Sequence, residues 1–293
     1  KISTLPNLDY KIMQGNSLVE KAFGTDFSFK KEVTLFDFQT DAISSSLLVL
    51  LDEYYNTSVK VIKDELKIKI KNLFLELITS SISLSGKKIS QEELKKIKNE
   101  SINIFDENKP RNFFLWNIFF HEVFKKKGGF DLIIANPPYI KEYTNKNAFS
   151  EIKEHEYYQG KMDIWYFMAC KSIDLLKDKG VLCYIAQNNW FTNSGAKKLR
   201  SKVINDCQIL EINDFSNYMI FDNADQQTMI LVLLKNRIEN YEFKYSKVVS
   251  KNFIKQDLIN FFKNKQDDKM INEKIRFNKK KYQNKYLVFS NSR

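Results

Sequence analysis

The residues best suited to chemistry are Asn136-Pro137-Pro138-Tyr139. Proline fixes φ, restrains the residue before it and carries no N–H. Two prolines in four residues therefore make a stiff loop that offers a side-chain amide, bare carbonyl oxygens and one aromatic face. That set suits an exocyclic amine on a flat ring. The amide oxygen of Asn136 and the carbonyl of Pro137 could each accept one N–H, while Tyr139 stacks on the ring. Two such acceptors draw the nitrogen lone pair out of conjugation and toward an electrophile, through preorganised dipoles rather than a strong base. Asn-Pro-Pro is equally a turn that closes a strand, so these four residues alone leave both readings open.

The elements around the loop decide how it is presented. Leu132 to Ala135 is a short apolar run stopped by breakers, the pattern of a buried strand in a parallel sheet. Ligands of open α/β sheets bind just beyond the carboxyl ends of such strands. Residues 140–160 are polar and carry Tyr143, His155, Tyr157 and Tyr158, as expected of a long surface loop beside a site. An amphipathic helix follows from Asp163 to Lys177, with Trp165, Phe167, Met168, Ile173 and Leu176 inward. Lys179-Gly180 closes it and Val181 to Ala186 reads as a second buried strand. Strand, helix and strand make a βαβ crossover, so the fold class is α/β with a doubly wound sheet. A second polar and aromatic strand end stands at Gln187-Asn188-Asn189-Trp190-Phe191, followed by a helix over 196–205 and strands over 209–212 and 228–234.

Upstream, strand-like Tyr10 to Met13 runs into Gly15-Asn16-Ser17-Leu18, either a ligand-facing strand end or an ordinary βα turn. Residues 31–100 space apolar residues helically between charges, which predicts an insertion of two or three helices with a loop over 80–90. Phe113, Trp116, Phe120 and Phe124 fall on one face of a helix that Lys125-Lys126-Lys127-Gly128-Gly129 would end. From about residue 236 to 293 the chain turns Lys-rich and weakly periodic, reading as a basic linker or the start of another module.

With 293 residues, 43% hydrophobic and 28% charged, the chain can hold one large or two modest domains. A net charge of +11 fits a polyanionic partner, although a Lys-rich coding bias would produce the same excess. The longest apolar stretch, around Leu47 to Leu51, is too short to span a bilayer, so no membrane partner and a cytoplasmic location are expected. Cys170, Cys183 and Cys207 are odd in number and widely spaced, as buried reduced thiols would be. Two histidines, His121 and His155, cannot build a metal site unaided, so no metal is expected.

In this setting Asn136-Pro137-Pro138-Tyr139 resembles the amino-methyltransferase signature. The chain resembles the N6-adenine DNA methyltransferases fused into type IIG restriction–modification enzymes, and their relatives in BREX-type phage defence. Four blocks match in order: Leu5 to Tyr10 running into Gly15-Asn16-Ser17-Leu18; Phe113 through Glu122, Val123, Phe124 and Gly128 to Tyr139; Lys161-Met162-Asp163 through Lys177; and Asp214-Phe215 with Phe221, Ala224 and Thr228. The resemblance covers about 1–235 and implies a Rossmann-like methyltransferase sheet interrupted by the helical insertion, with 236–293 opening a target-recognition module.

The resemblance also implies a mechanism: an adenine swung out of double-stranded DNA, with N6 attacking the methyl of S-adenosylmethionine. Asn136 and Pro137 would orient N6, Pro138 would stiffen the loop, and Tyr139 and Phe221 would clamp the base. Gly15, Asn16, Ser17 and Leu18 would lie against the cofactor, and Lys141, Asn188, Asn189 and Trp190 are assigned to DNA contact. Gln187 departs from the family, which usually has proline there. The family's first cofactor block, a strand and Gly-rich turn for the methionine end, has no counterpart here and is expected upstream of Lys1. The chain is therefore expected to be a fragment with little activity alone. Mg2+ enters only if the parent protein carries a nuclease. Two alternatives are a non-catalytic DNA-binding or complex-forming module, and a methyltransferase acting on RNA or protein glutamine. Recognition sequence and oligomeric state are not legible.

Overall fold

Apolar residues repeat every three to four positions along the insertion, and helices form there because that stripe can be buried. The computed structural model describes residues 10–28, 35–84, 90–102, 111–221, 226–263, 268–283 and 285–289. It divides into two units, Lys1–Lys126 and Lys127–Arg293, each with its own core. Leu5 to Asp9 and Ala224, cited above for the resemblance, lie outside the described residues.

In the first unit a two-residue antiparallel pair, β1 (Lys21–Ala22) and β2 (Thr25–Asp26), precedes α1 (Leu35–Asn56), α2 (Lys60–Leu84), α3 (Gln91–Ile102), α4 (Trp116–Phe119) and α5 (His121–Lys127). Leu66, Ile70, Phe74 and Leu77 form the buried stripe of α2 and meet Leu47 and Tyr54 of α1. α3 starts where Ser90 and Glu93 cap each other: the Ser90 hydroxyl accepts from the Glu93 amide at 3.2 Å, and Glu93 accepts from the Ser90 amide at 3.0 Å.

Two expectations fail in this unit. Tyr10 to Met13 forms a turn, with Tyr10 at φ 59°, rather than a strand. The aromatic run is not one helix, because the chain breaks at Phe120 between α4 and α5. Phe114, Leu115, Ile118 and Phe119 are the buried residues, while Phe113, Trp116 and Phe120 only flank the core. Sequence spacing identified an aromatic cluster but the break rotated which face is inside.

The second unit is a six-stranded mixed sheet in the order β3-β4-β6-β5-β7-β8. Its elements are β3 (Phe130–Ala135), α6 (Ile164–Leu175), β4 (Leu176–Gln187), α7 (Lys197–Asp206), β5 (Cys207–Asp214), β6 (Thr228–Lys235), β7 (Asn240–Val248), α8 (Lys255–Phe262), β8 (Met270–Asn278) and α9 (Lys279–Tyr282). β3 pairs in parallel with β4 through the α6 crossover, as expected, whereas β6 runs antiparallel to both β4 and β5. Period-two alternation buries Leu182, Tyr184 and Ala186 of β4 and Met229, Leu231 and Leu233 of β6. α6 is buried almost all round, Lys171 and Ser172 included, rather than on one stripe. Its Trp165 meets Trp190 edge to face with centroids 6.4 Å apart.

Two further corrections belong to the sheet. β3 is one of its two edge strands, with Leu132 51% and Ile134 70% exposed; a continuous apolar run does not reveal whether both faces are covered. The stretch after residue 236 is not a linker. β7 pairs in parallel with β5 and β8 pairs with β7, so both belong to the same sheet. Their alternation was masked by lysines on the solvent face, such as Lys244 and Lys274.

α5 leads into β3 through Gly128 and Gly129, at φ +73° and +142°. A Cβ on Gly129 would stand 2.5 Å from the Lys177 amide nitrogen and 2.6 Å from the Leu175 carbonyl, while one on Gly128 would meet nothing within 4 Å. Gly129→Ala should therefore cost on the order of 3 kcal/mol or more in urea unfolding, combining strain and backbone collision, against about 1 kcal/mol for Gly128→Ala. Equal costs at the two positions would show that the close approach of Gly129 to the α6–β4 junction does not matter.

Candidate active site

Because β3 and β4 run parallel, with Ala135 opposite Tyr184, both chains leave the sheet at one edge. Asn136 to Tyr139 follows the last residue of β3, and Asn188 follows the last residue of β4. Asn136 and Pro138 are exposed, Pro137 is buried and Tyr139 is half-buried. The loop is thus pinned through one proline while its amide faces outward.

The Tyr139 hydroxyl fixes the loop to the neighbouring strand. It lies 2.9 Å from the Ile185 carbonyl and 3.2 Å from Asn136 Oδ1, with one proton for two acceptors. Burial, then the nearby Asp163 charge, pushes its pKa up to about 12, so it remains a neutral donor. The Tyr139–Asn136 bond was not foreseen. It means that the Asn136 amide oxygen is shared with a hydroxyl that has a second, closer acceptor.

Asp163 was missed as a site residue, although it stood within a matched block. It caps the N-terminus of α6, with Oδ1 accepting from the Trp165 amide at 3.3 Å. The side chain is only 2% exposed and Oδ2 is buried without a hydrogen-bond partner among the described residues. Burial raises its pKa from 3.8 to about 6, and the Trp165 amide and the Lys141 charge hold it back only in part. Lys141 and Asp163 are joined as an isolated antiparallel bridge, and the Ile164 amide donates to the Ile140 carbonyl at 2.9 Å. The start of α6 therefore holds the backbone immediately after Tyr139. The signal that could have found it is an Asp placed just before an apolar helix.

The long connection between Ile140 and Asp163 is tied down. Gln159 donates to the Ser194 carbonyl at 2.7 Å and accepts from the Lys198 amide at 2.7 Å, capping α7 from a distance. Tyr157 donates to Asp174 at 2.5 Å and Tyr158 donates to Glu142.

The second strand end serves mainly as scaffold. Asn188 donates to Asp214 at 2.9 Å, and Asn189 accepts from Tyr166 at 2.9 Å and faces the Gln187 side chain at 3.4 Å. Trp190 is fully buried, with its indole N–H on the Met229 sulfur at 3.4 Å. It cannot touch DNA, and its assignment to DNA contact is corrected: the ring fills the core against Trp165. Lys141 is half-buried with Nζ 5.9 Å from the Tyr143 ring, and Phe221 is half-buried.

Gly15 to Leu18 belongs to the first unit. A Cβ on Gly15 would stand 2.7 Å from the Phe113 carbonyl, so packing alone requires glycine there. Asn16 Oδ1 accepts from the Leu18 amide at 3.2 Å and the Ser17 carbonyl accepts from the Trp116 indole at 3.0 Å. Asn16 is exposed and Leu18 is half-buried.

The sequence model of the Eco57I restriction-modification methylase family matches residues 56–221, more than half of the 293. The chain is similar to the type II restriction enzyme and methyltransferase RM.Eco57I of Escherichia coli, 25% identical over 186 residues, covering 62% of this chain and 16% of that protein. It is also similar to the type II methyltransferase M.HincII of Haemophilus influenzae, 28% identical over 116 residues, covering 38% of this chain and 23% of that protein. The overlap with the crystal structure of the type IIG restriction endonuclease BpuSI covers 80% of this chain and 39% of that one, at 12% identity and a TM-score of 0.37. The chain thus spans less than a quarter of either curated relative.

A raised carboxyl pKa adds stability that is full below the unfolded value of 3.8 and fades as pH rises through about 6. Asp163→Asn keeps an acceptor for the Trp165 amide and removes the titration. Relative to the unaltered protein, the variant should gain stability between about pH 4 and about pH 7, by up to roughly 3 kcal/mol for a shift of about two units. Urea unfolding at the two pH values measures this, and a pH-independent difference would refute a buried titrating carboxylate.

Proposed function

The chain belongs to the Eco57I restriction-modification methylase family, and from that premise we propose that it carries the target-amine half of a site-specific DNA adenine-N6 methyltransferase. In this reading it is part of a longer cytoplasmic polypeptide of the type IIG kind and has little activity alone. The observation that carries the proposal is the exposed Asn136 amide at the carboxyl edge of β3, beside a Tyr139 ring tethered through its hydroxyl.

An adenine turned out of the duplex would bring N6 to Asn136 Oδ1 and the Pro137 carbonyl. The Tyr139 hydroxyl can release Asn136 because the Ile185 carbonyl, at 2.9 Å, keeps its proton bonded. The exchange therefore leaves no buried donor unsatisfied. Tyr139 would then offer its face to the base, and Phe221 would close the other side. S-adenosylmethionine, when bound, would supply the methyl electrophile. Asn16 and Leu18, in the first unit, would meet its adenosine. Two carbonyl-type acceptors on N6 favour attack by making the nitrogen more nucleophilic, so no strong base is needed before the transfer, and the proton N6 must then lose passes to solvent.

The test is methyl transfer from labelled S-adenosylmethionine to duplex DNA by the full-length protein, with nucleoside analysis of the product. N6-methyladenine should accumulate. Asn136→Ala should lower the rate by about a hundredfold or more, and Tyr139→Phe, which keeps the ring but frees it from Ile185, should lose less than Tyr139→Ala. Label found in cytosine, RNA or protein glutamine, or an unimpaired Asn136→Ala variant, would reject the assignment.

A further inference from the structure

A groove of about 600 Å³ lies between Ser194, Lys197, Arg200, Ser201 and Ile204 on one side and Lys285 and Tyr286 on the other. Its two walls are held together by the fold. The Leu287 amide donates to the Phe191 carbonyl at 3.0 Å, and Phe289 packs edge-on against Phe191 with centroids 5.4 Å apart. The lining contains three cations and three hydroxyls and no carboxylate.

Arg200 is the informative residue. It is only 5% exposed, yet its guanidinium is met by neutral groups: the Trp190 carbonyl at 2.7 Å, the Asn193 carbonyl at 2.6 Å and the Tyr286 ring at 5.1 Å. A buried charge is ordinarily matched by an opposite one, because carbonyl dipoles replace lost hydration only in part. Among the described residues no salt bridge involves Arg200, Lys197 or Lys285. Lys197, Lys285, Ser194 and Ser201 are all exposed at the mouth. Positive charge is thus concentrated in a rigid concavity, with its base uncompensated and its donors facing solvent.

We propose that this groove binds a phosphodiester of the DNA backbone, with Lys197 and Lys285 contacting the phosphate and Arg200 supplying the fixed charge beneath. Backbone contacts of this kind set the register of a protein on a duplex without reading sequence. The carbonyls that Arg200 holds belong to the segment following β4, so the same arginine links the groove to the strand end beside the Asn136 loop. The inference rests on DNA being the substrate.

The experiment measures binding of the full-length protein to a fluorescent duplex as a function of potassium chloride. Two charge-matched double variants are compared: Lys197→Gln with Lys285→Gln, and Lys255→Gln with Lys263→Gln at exposed sites on and just after α8. All four positions are on the surface, so folding should be retained. Loss of one to two phosphate contacts should flatten the slope of log affinity against log salt by about 1 to 2, and weaken binding about tenfold at physiological salt. The control pair should leave the slope unchanged. Equal effects from both pairs, or none from the first, would overturn the groove. Replacing chloride by phosphate at equal ionic strength should not displace DNA; displacement from the unaltered protein but not from the groove variant would make this a free-phosphate site and overturn the proposal. If the unaltered protein binds no duplex at all, the DNA reading itself fails. Groove-dependent binding without any methyl transfer would leave the inference standing and reject only the enzymatic assignment.

Discussion

The parallel pairing of β3 with β4 is the constraint from which the second unit's candidate site follows. Ile133 opposite Leu182 and Ala135 opposite Tyr184 set the register, and that register puts the Asn136 loop level with the Ile185 carbonyl. One Tyr139 hydroxyl bond then fixes the aromatic ring and orders the amide beside it. A slip of one residue would send every side chain of β3 to the opposite face and carry Tyr139 away from its acceptor. The α6 crossover maintains the register, because its buried N-cap Asp163 adjoins the backbone just beyond Tyr139.

Polar groups at this sheet edge are used twice. Asn188 is bonded to Asp214, and Asn189 to Tyr166 and Gln187, so the second strand end stiffens the edge. The Asn136 amide is different: its one partner, Tyr139, has an alternative. A site that must receive an amine needs an acceptor that is satisfied when empty and released cheaply when full. A hydroxyl poised between two carbonyl oxygens meets that need, because the net cost of exchanging one hydrogen bond for another is small, on the order of 1 kcal/mol or less.

Two buried ionisable groups of the second unit are handled in opposite ways. At Asp163 a carboxyl is buried with one oxygen unpartnered, and its pKa rises in consequence. At Arg200 a guanidinium is buried against carbonyls and a ring, and arginine cannot escape by deprotonating. The first group can shed its charge as pH falls; the second cannot.

By itself the sequence determined broadly where strands and helices fall between Phe130 and Lys235, and that a stiff polar loop follows the first of those strands. Apolar runs ending at Asn136 and Gln187, an Asp before an apolar helix and glycines at chain reversals act locally, so they can be read without knowing what lies across the fold. It also carried enough of the family pattern for the chain to be placed by the spacing around Asn136. Tertiary structure decided the rest. The break at Phe120, the exposure of Leu132 and Ile134, the burial of Trp190 and the inclusion of residues 240–278 in the sheet each depend on what packs opposite. So does the meeting of Lys197, Arg200, Lys285 and Tyr286, which are far apart in the chain. Periodicity reports that a face is apolar or charged; only the fold supplies the surface that covers it or leaves it open.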